Sequence, residues 1–170
     1  YNPVIPNPDK IICAGLNYHA HIEETGREET PNPVLFSRYA GSQIGHNESL
    51  VKPLESDMFD YEGEVAVIIG KEGRRISEAT AMEYVAGYAP YNDGSVRDWQ
   101  RHTHQFLPGK NFEGTGGFGP WMTTADEIED YTREGILRDF KSNDDCRIII
   151  ANPAACGESI SLHHWCHDAI

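Results

Sequence analysis

The run Asp60-Tyr-Glu-Gly-Glu-Val-Ala-Val-Ile-Ile-Gly70 constrains the fold more than any other stretch of the chain. It is dense in β-branched residues and closed by a glycine, which predicts a strand. Glu62 and Glu64 stand two apart, so on a strand their side chains leave the same face, and that face continues through Ala66 and Ile68. Two carboxylates are thereby led toward a packed surface, where like charges are costly unless a cation lies between them. The plainer alternative is an exposed strand end carrying two solvated glutamates.

Other elements assemble around this strand. Lys10–Ala14 and Pro33–Ser37 are predicted strands, Asn17–Thr25 a short helix, and 26–33 a mobile loop beside a strand end. The polar stretch 41–49 is predicted to be a loop. Ser77 caps a predicted helix to Val85, the chain returns to extended structure over 86–92, and a short helix is expected within 93–105. Glycines and prolines crowd 108–121, which predicts an irregular loop. Within it, Gly114, Gly116 and Gly119 formally fit a dinucleotide pattern, but no strand leads into them and Pro120 follows, so the helix start that would cradle a pyrophosphate is missing.

With 170 residues, 39% hydrophobic and 24% charged, the chain can bury one core, and a single soluble domain is expected. Its formal net charge of -13 repels phosphate backbones and anionic lipid, so nucleic acid and membrane are disfavoured partners. A small anionic substrate remains compatible if a cation reverses the local potential. Aliphatic runs are too short to span a bilayer, no basic apolar leader opens the chain, and the four cysteines form no CxxC pair. A reduced, cytoplasmic protein is the expectation.

Asp93, in the predicted turn Tyr91-Asn-Asp-Gly-Ser95, offers a third carboxylate, although a lone aspartate there is usually only a turn former. Three carboxylates from separated segments suit Mg²⁺, Mn²⁺ or Ca²⁺ better than Zn²⁺.

Taken in order, Gly15-Leu-Asn-Tyr18, His21-x-x-Glu24, the 60–71 run, Gly87-Tyr88, Asn92-Asp93-x-x-x-Arg97-Asp98-x-Gln100, Gly109-Lys110-x-Phe112 and Gly119-Pro120-Trp121 resemble the fumarylacetoacetate hydrolase family. The resemblance covers residues 1 to about 130. It implies a mixed α/β, mainly β fold like the family's β-roll, incomplete at its C-terminal end, and a homodimer. It further implies metal ligands at Glu62, Glu64 and Asp93, a catalytic lid pair at His21 and Glu24, and an active-site lysine at Lys110. Arg97 and Gln100 fall on substrate-positioning places, or on a solvated helix face. The implied chemistry is metal-dependent hydrolysis or decarboxylation of a small 2-oxo acid or 1,3-diketone.

After residue 130 the character changes. The family's closing Asn-Gly-Glu turn and Gly-Thr-Pro segment are absent, and Arg147–Ile170 resembles part of the second lobe of Swi/Snf-type helicases. A phosphate loop is lacking, so ATP chemistry is not expected. The expectation is therefore two parts, 1–130 and 131–170, with impaired turnover. The alternatives are an inactive fragment or a helicase-derived interaction segment. A Zn²⁺ cluster of Cys156, His163, Cys166 and His167 is a weaker alternative, since the spacing fits no common zinc module.

Overall fold

A computed structural model describes residues 1–18, 26 and 31–129. Most of the helix expected over 17–25 and everything after residue 129, with the possible zinc cluster, lie outside the described residues. The chain is mixed α/β and mainly strand, as the sequence predicts.

The strands are β1 (Ile11–Gly15), β2 (Val34–Arg38), β3 (Gln43–Ile44), β4 (Phe59–Asp60), β5 (Gly63–Ile69), β6 (Val85–Asp93), β7 (Ser95–Val96), β8 (Gly116–Phe118) and β9 (Thr123–Thr124). Among the described residues three short α-helices join them: α1 (Arg97–Gln100), α2 (Leu107–Lys110) and α3 (Ala125–Glu129). By compactness the described residues form two units, one within 1–64 and 89–122, the other within 65–88 and 123–129.

In the first unit β1 and β2 pair antiparallel, with Cys13 opposite Phe36. Val34, Phe36 and Arg38 share one face of β2 by alternation, and Arg38 is buried. Strand β8 lies between β3, which it pairs in parallel at Gln43↔Gly116, and the end of β6, antiparallel at Asp93↔Gly116. Strands β4 and β7 form a separate antiparallel pair. The core is small, with Ala89, Tyr91, Val96 and Phe118 buried and Tyr91 edge-on to Phe118.

Three sequence expectations change here. The stretch 41–49 is not all loop, because Gln43–Ile44 finds a partner in β8. The glycine-rich 108–121 stretch holds α2 and β8; flanked on both sides, β8 obtains its hydrogen bonds from distant segments, which local composition does not reveal. The strand over 60–70 is interrupted at Tyr61 and Glu62, where the Glu62 N–H donates to the side-chain oxygen Asn92 Oδ1 in place of a backbone carbonyl.

The second unit holds the outer length of β5, where Val65, Val67 and Ile69 are exposed and Ala66 and Ile68 are partly covered. The predicted helix at 77–85 is a 3-10 helix, Glu78–Tyr84. Ser77 makes no cap bond to the backbone there; its hydroxyl meets that of Thr80. Strand β9 pairs β6 at Gly87↔Thr124 and Tyr88↔Thr123.

Gly116 carries a packing consequence. A Cβ there would lie 2.5 Å from the Tyr91 hydroxyl and 2.8 Å from Arg38 Nη2. Gly116→Ala should therefore lose about 1–3 kcal/mol of stability in urea denaturation; a neutral result would mean that the guanidinium is free to give way.

Candidate active site

Every side chain of the candidate site belongs to the first unit. Asp93 is the last residue of β6 and buried, not a turn residue, because the chain continues as extended structure into β7. Its Oδ1 accepts from Arg38 Nη1 at 2.7 Å and its Oδ2 from Lys110 Nζ at 2.6 Å. Lys110 closes α2, is 1% exposed, and donates also to Glu62 Oε2 at 3.1 Å. Its ammonium stands 5.0 Å from the centre of the Phe36 ring, a cation–π distance.

Glu62 is held from two further sides. Ser95, fully buried, donates to Glu62 Oε1 at 2.7 Å, and Arg97 pairs with the same oxygen. Arg97 also grips Asp60 through Nε and Nη2 at 2.9 and 2.7 Å and donates to Gln100 Oε1 at 3.1 Å. Arg97 thus braces Asp60 and Glu62, and Gln100 accepts a bond from Arg97.

Glu64 is half-buried and accepts from the Tyr18 hydroxyl at 2.9 Å. Burial pushes its carboxyl above the usual range, the Tyr18 bond pulls it back, and the charges of Asp93 and Glu62 push it up again. Three carboxylates therefore lie within one another's field. Burial pushes the Cys13 thiol, which shares that field, up to about 12, so it is kept as an inert thiol.

Among the described residues no group of three or more His, Cys, Asp or Glu side chains is set out as a ready metal shell. The oxygens of Glu62 and Asp93 are turned instead onto Lys110, Arg38, Arg97 and Ser95. By donor type the set still fits a hard divalent cation: it offers only oxygens, and the charges of Asp93 and Glu62 disfavour ionisation of Glu64. His21 and Glu24 lie outside the described residues. Sequence reasoning missed Arg38, Ser95 and Thr115. Only Arg38 left a local signal, a charge at an inward position of a strand whose Val34 and Phe36 are apolar.

Comparison with known proteins decides the family. The profile described as fumarylacetoacetate (FAA) hydrolase C-terminal matches residues 10–151. The chain belongs to the fumarylacetoacetate hydrolase family. This match crosses residue 130, and it lends no support to a Swi/Snf-type segment.

Within the family, the chain is 42% identical over 127 residues to the mitochondrial oxaloacetate tautomerase of Rattus norvegicus, covering 74% of this chain and 41% of that protein. Among solved structures it resembles the fumarylacetoacetate hydrolase of the psychrophile Exiguobacterium antarcticum, with TM-score 0.65 and 36% identity over 73% of this chain and 45% of that one. It likewise resembles a 5-carboxymethyl-2-hydroxymuconate delta-isomerase from Mycobacterium smegmatis, with TM-score 0.64 and 34% identity over 73% and 49% of the two chains. The family is thus one of enzymes that includes hydrolases, isomerases and tautomerases, and the fold is the family's. The chain spans about two fifths of the length of the curated relatives it matches. No helix among the described residues is long and apolar enough to cross a membrane.

Proposed function

We propose that this chain carries the metal-binding half-site of an enzyme that stabilises the enolate of a small 2-oxo acid or 1,3-diketone and uses it for carbon–carbon bond hydrolysis or decarboxylation. The observation that carries this reading is the placement of Glu62 and Asp93 on one buried ammonium, Lys110, with Glu64 in their field. Glu62, Glu64 and Asp93 would hold a divalent cation, Mg²⁺, Mn²⁺ or Ca²⁺. When bound, it supplies a fixed positive charge for the substrate's anionic oxygens.

By family resemblance Lys110 meets the anionic oxygens of the substrate, and its burial strengthens any hydrogen bond it gives. On α1, Arg97 keeps Glu62 and Asp60 in place and Gln100 accepts a bond from Arg97; by family resemblance both position substrate. His21, oriented by Glu24, is the general base that the same resemblance supplies. Tautomerisation, named for the rat relative, and the C–C cleavage proposed here share the enolate and differ in where the proton or water goes. A homodimer and a small anionic substrate belong to this reading. A cytoplasmic location is part of this proposal, while the rat tautomerase is named as mitochondrial.

The test follows oxaloacetate enol-to-keto conversion and pyruvate release from oxaloacetate and an acylpyruvate, with Mn²⁺ and with EDTA. It uses this chain and a version completed with a family C-terminal segment after residue 130. Metal-dependent pyruvate release by the completed chain, at least about 10²-fold above that of the unmodified one, is the expected result. Release that ignores EDTA would overturn the metal reading. Enol conversion without any release would replace C–C cleavage by tautomerisation, and equal turnover by both versions would show that the residues after 130 already serve.

A further inference from the structure

Arg38 is a buried cation that the chemistry above does not use. Its side chain has no exposed surface, and each of its guanidinium nitrogens is already committed to an acceptor within the protein. It donates to four acceptors on three separate segments of the chain: Nε to Ser42 Oγ at 3.3 Å, Nη1 to Asp93 Oδ1 at 2.7 Å and to the Gly94 carbonyl at 3.0 Å, and Nη2 to Thr115 Oγ1 at 2.8 Å. Thr115 is itself 0% exposed and anchored, its hydroxyl donating to the Phe112 carbonyl at 2.7 Å. The bare Cα of Gly116 leaves the room that Nη2 occupies.

From this network we infer that Arg38 is a positioning residue, which fixes the plane and rotation of the Asp93 carboxylate and so decides which oxygen is left for the site. The inference rests on the reading that Asp93 belongs to the site. With Oδ1 committed to a planar guanidinium that is itself tied at three other points, the carboxylate cannot spin, and Oδ2 stays aimed at Lys110. Lysine at position 38 would keep the charge but, as a compact ammonium, cannot reproduce a fork reaching Ser42, Asp93 and Thr115 together. The charge matters less than its shape.

Arg38→Lys and Thr115→Val in the full chain separate these roles. The first keeps the charge and loses the fork; the second keeps every charge and removes one anchor of the fork. Two quantities are read in variants with a cooperative melting transition: Mn²⁺ affinity by calorimetry, and, without metal, the rate of Lys110 acetylation by acetic anhydride relative to exposed Lys71, from peptide mass spectrometry. Arg38→Lys should weaken Mn²⁺ binding about 10–100-fold. It should also speed Lys110 labelling at least about tenfold, because an unpinned Asp93 lets the ammonium go. Thr115→Val should shift both by about threefold in the same directions.

Folded Arg38→Lys with both values within about twofold of the parent overturns the inference. If Arg38→Lys does not fold, Thr115→Val decides by the same criterion. If the parent binds no Mn²⁺, the metal reading falls, and the Lys110 labelling ratio still decides the role of Arg38.

Discussion

Asp93→Ala should lose about 3–5 kcal/mol of folding stability, the largest stability change expected of any single substitution in the site. The carboxylate stands between Arg38 and Lys110, whose side chains are 0% and 1% exposed, so truncating it leaves two cations facing each other out of reach of water. Neither is wholly abandoned, since Lys110 keeps Glu62 while Arg38 keeps Ser42, Thr115 and the Gly94 carbonyl. Asp93→Asn should lose less, because its amide oxygen can still accept one of the two bonds. Pairing Asp93→Leu with Arg38→Met should recover part of the loss by removing the stranded charge along with its partner. Urea denaturation measures all three, and for a chain of this length each kcal/mol moves the melting midpoint by about 2–4 °C. A loss below about 1 kcal/mol in Asp93→Ala would mean that water reaches these cations and that the site is not the closed cluster described.

What the sequence disclosed and what it hid divide along the range of the interactions involved. The inward parity of Glu62, Glu64, Ala66 and Ile68 was legible because alternation is local, and it holds in the burial of those positions. The interruption at Tyr61 and Glu62 was not, because there the Glu62 N–H goes to the side chain of Asn92, 30 residues away. For the same reason Asp93 reads as a turn former next to Gly94, whereas Gly116 opposite it in β8 keeps it in a strand. Arg38 was within reach of a local reading: ending the predicted strand at Ser37 hid a charge placed on the face of Val34 and Phe36, and such a charge must find a partner. Ser95 and Thr115 are small polar residues in glycine-rich surroundings, where composition carries no sign of burial. The lid pair, His21 and Glu24, was supplied by family resemblance alone.

Lys110→Met should give the largest change in turnover, and its effect on metal binding should run the opposite way. In the completed enzyme kcat is expected to fall about 10²–10³-fold, the usual penalty for removing one preorganised donor from a site of developing negative charge. Methionine has nearly the shape of the lost side chain and can keep the contact with the Phe36 ring, so the fold should survive. Yet Glu62 Oε2 and Asp93 Oδ2 both lose the ammonium that they share at 3.1 and 2.6 Å, and two carboxylate oxygens are left facing a more negative pocket. A cation should then be drawn in more strongly, so Mn²⁺ affinity by calorimetry should rise, or at least not fall, while turnover collapses. Glu64→Ala is the contrast: it removes a carboxylate without removing a cation, and Mn²⁺ binding and turnover should be lost together. A Lys110→Met enzyme whose Mn²⁺ affinity and kcat fall in parallel would show that Lys110 builds the metal position instead of serving the substrate. Its bonds to Glu62 and Asp93 would then be the scaffold of the site, present with the cation bound as well as without it.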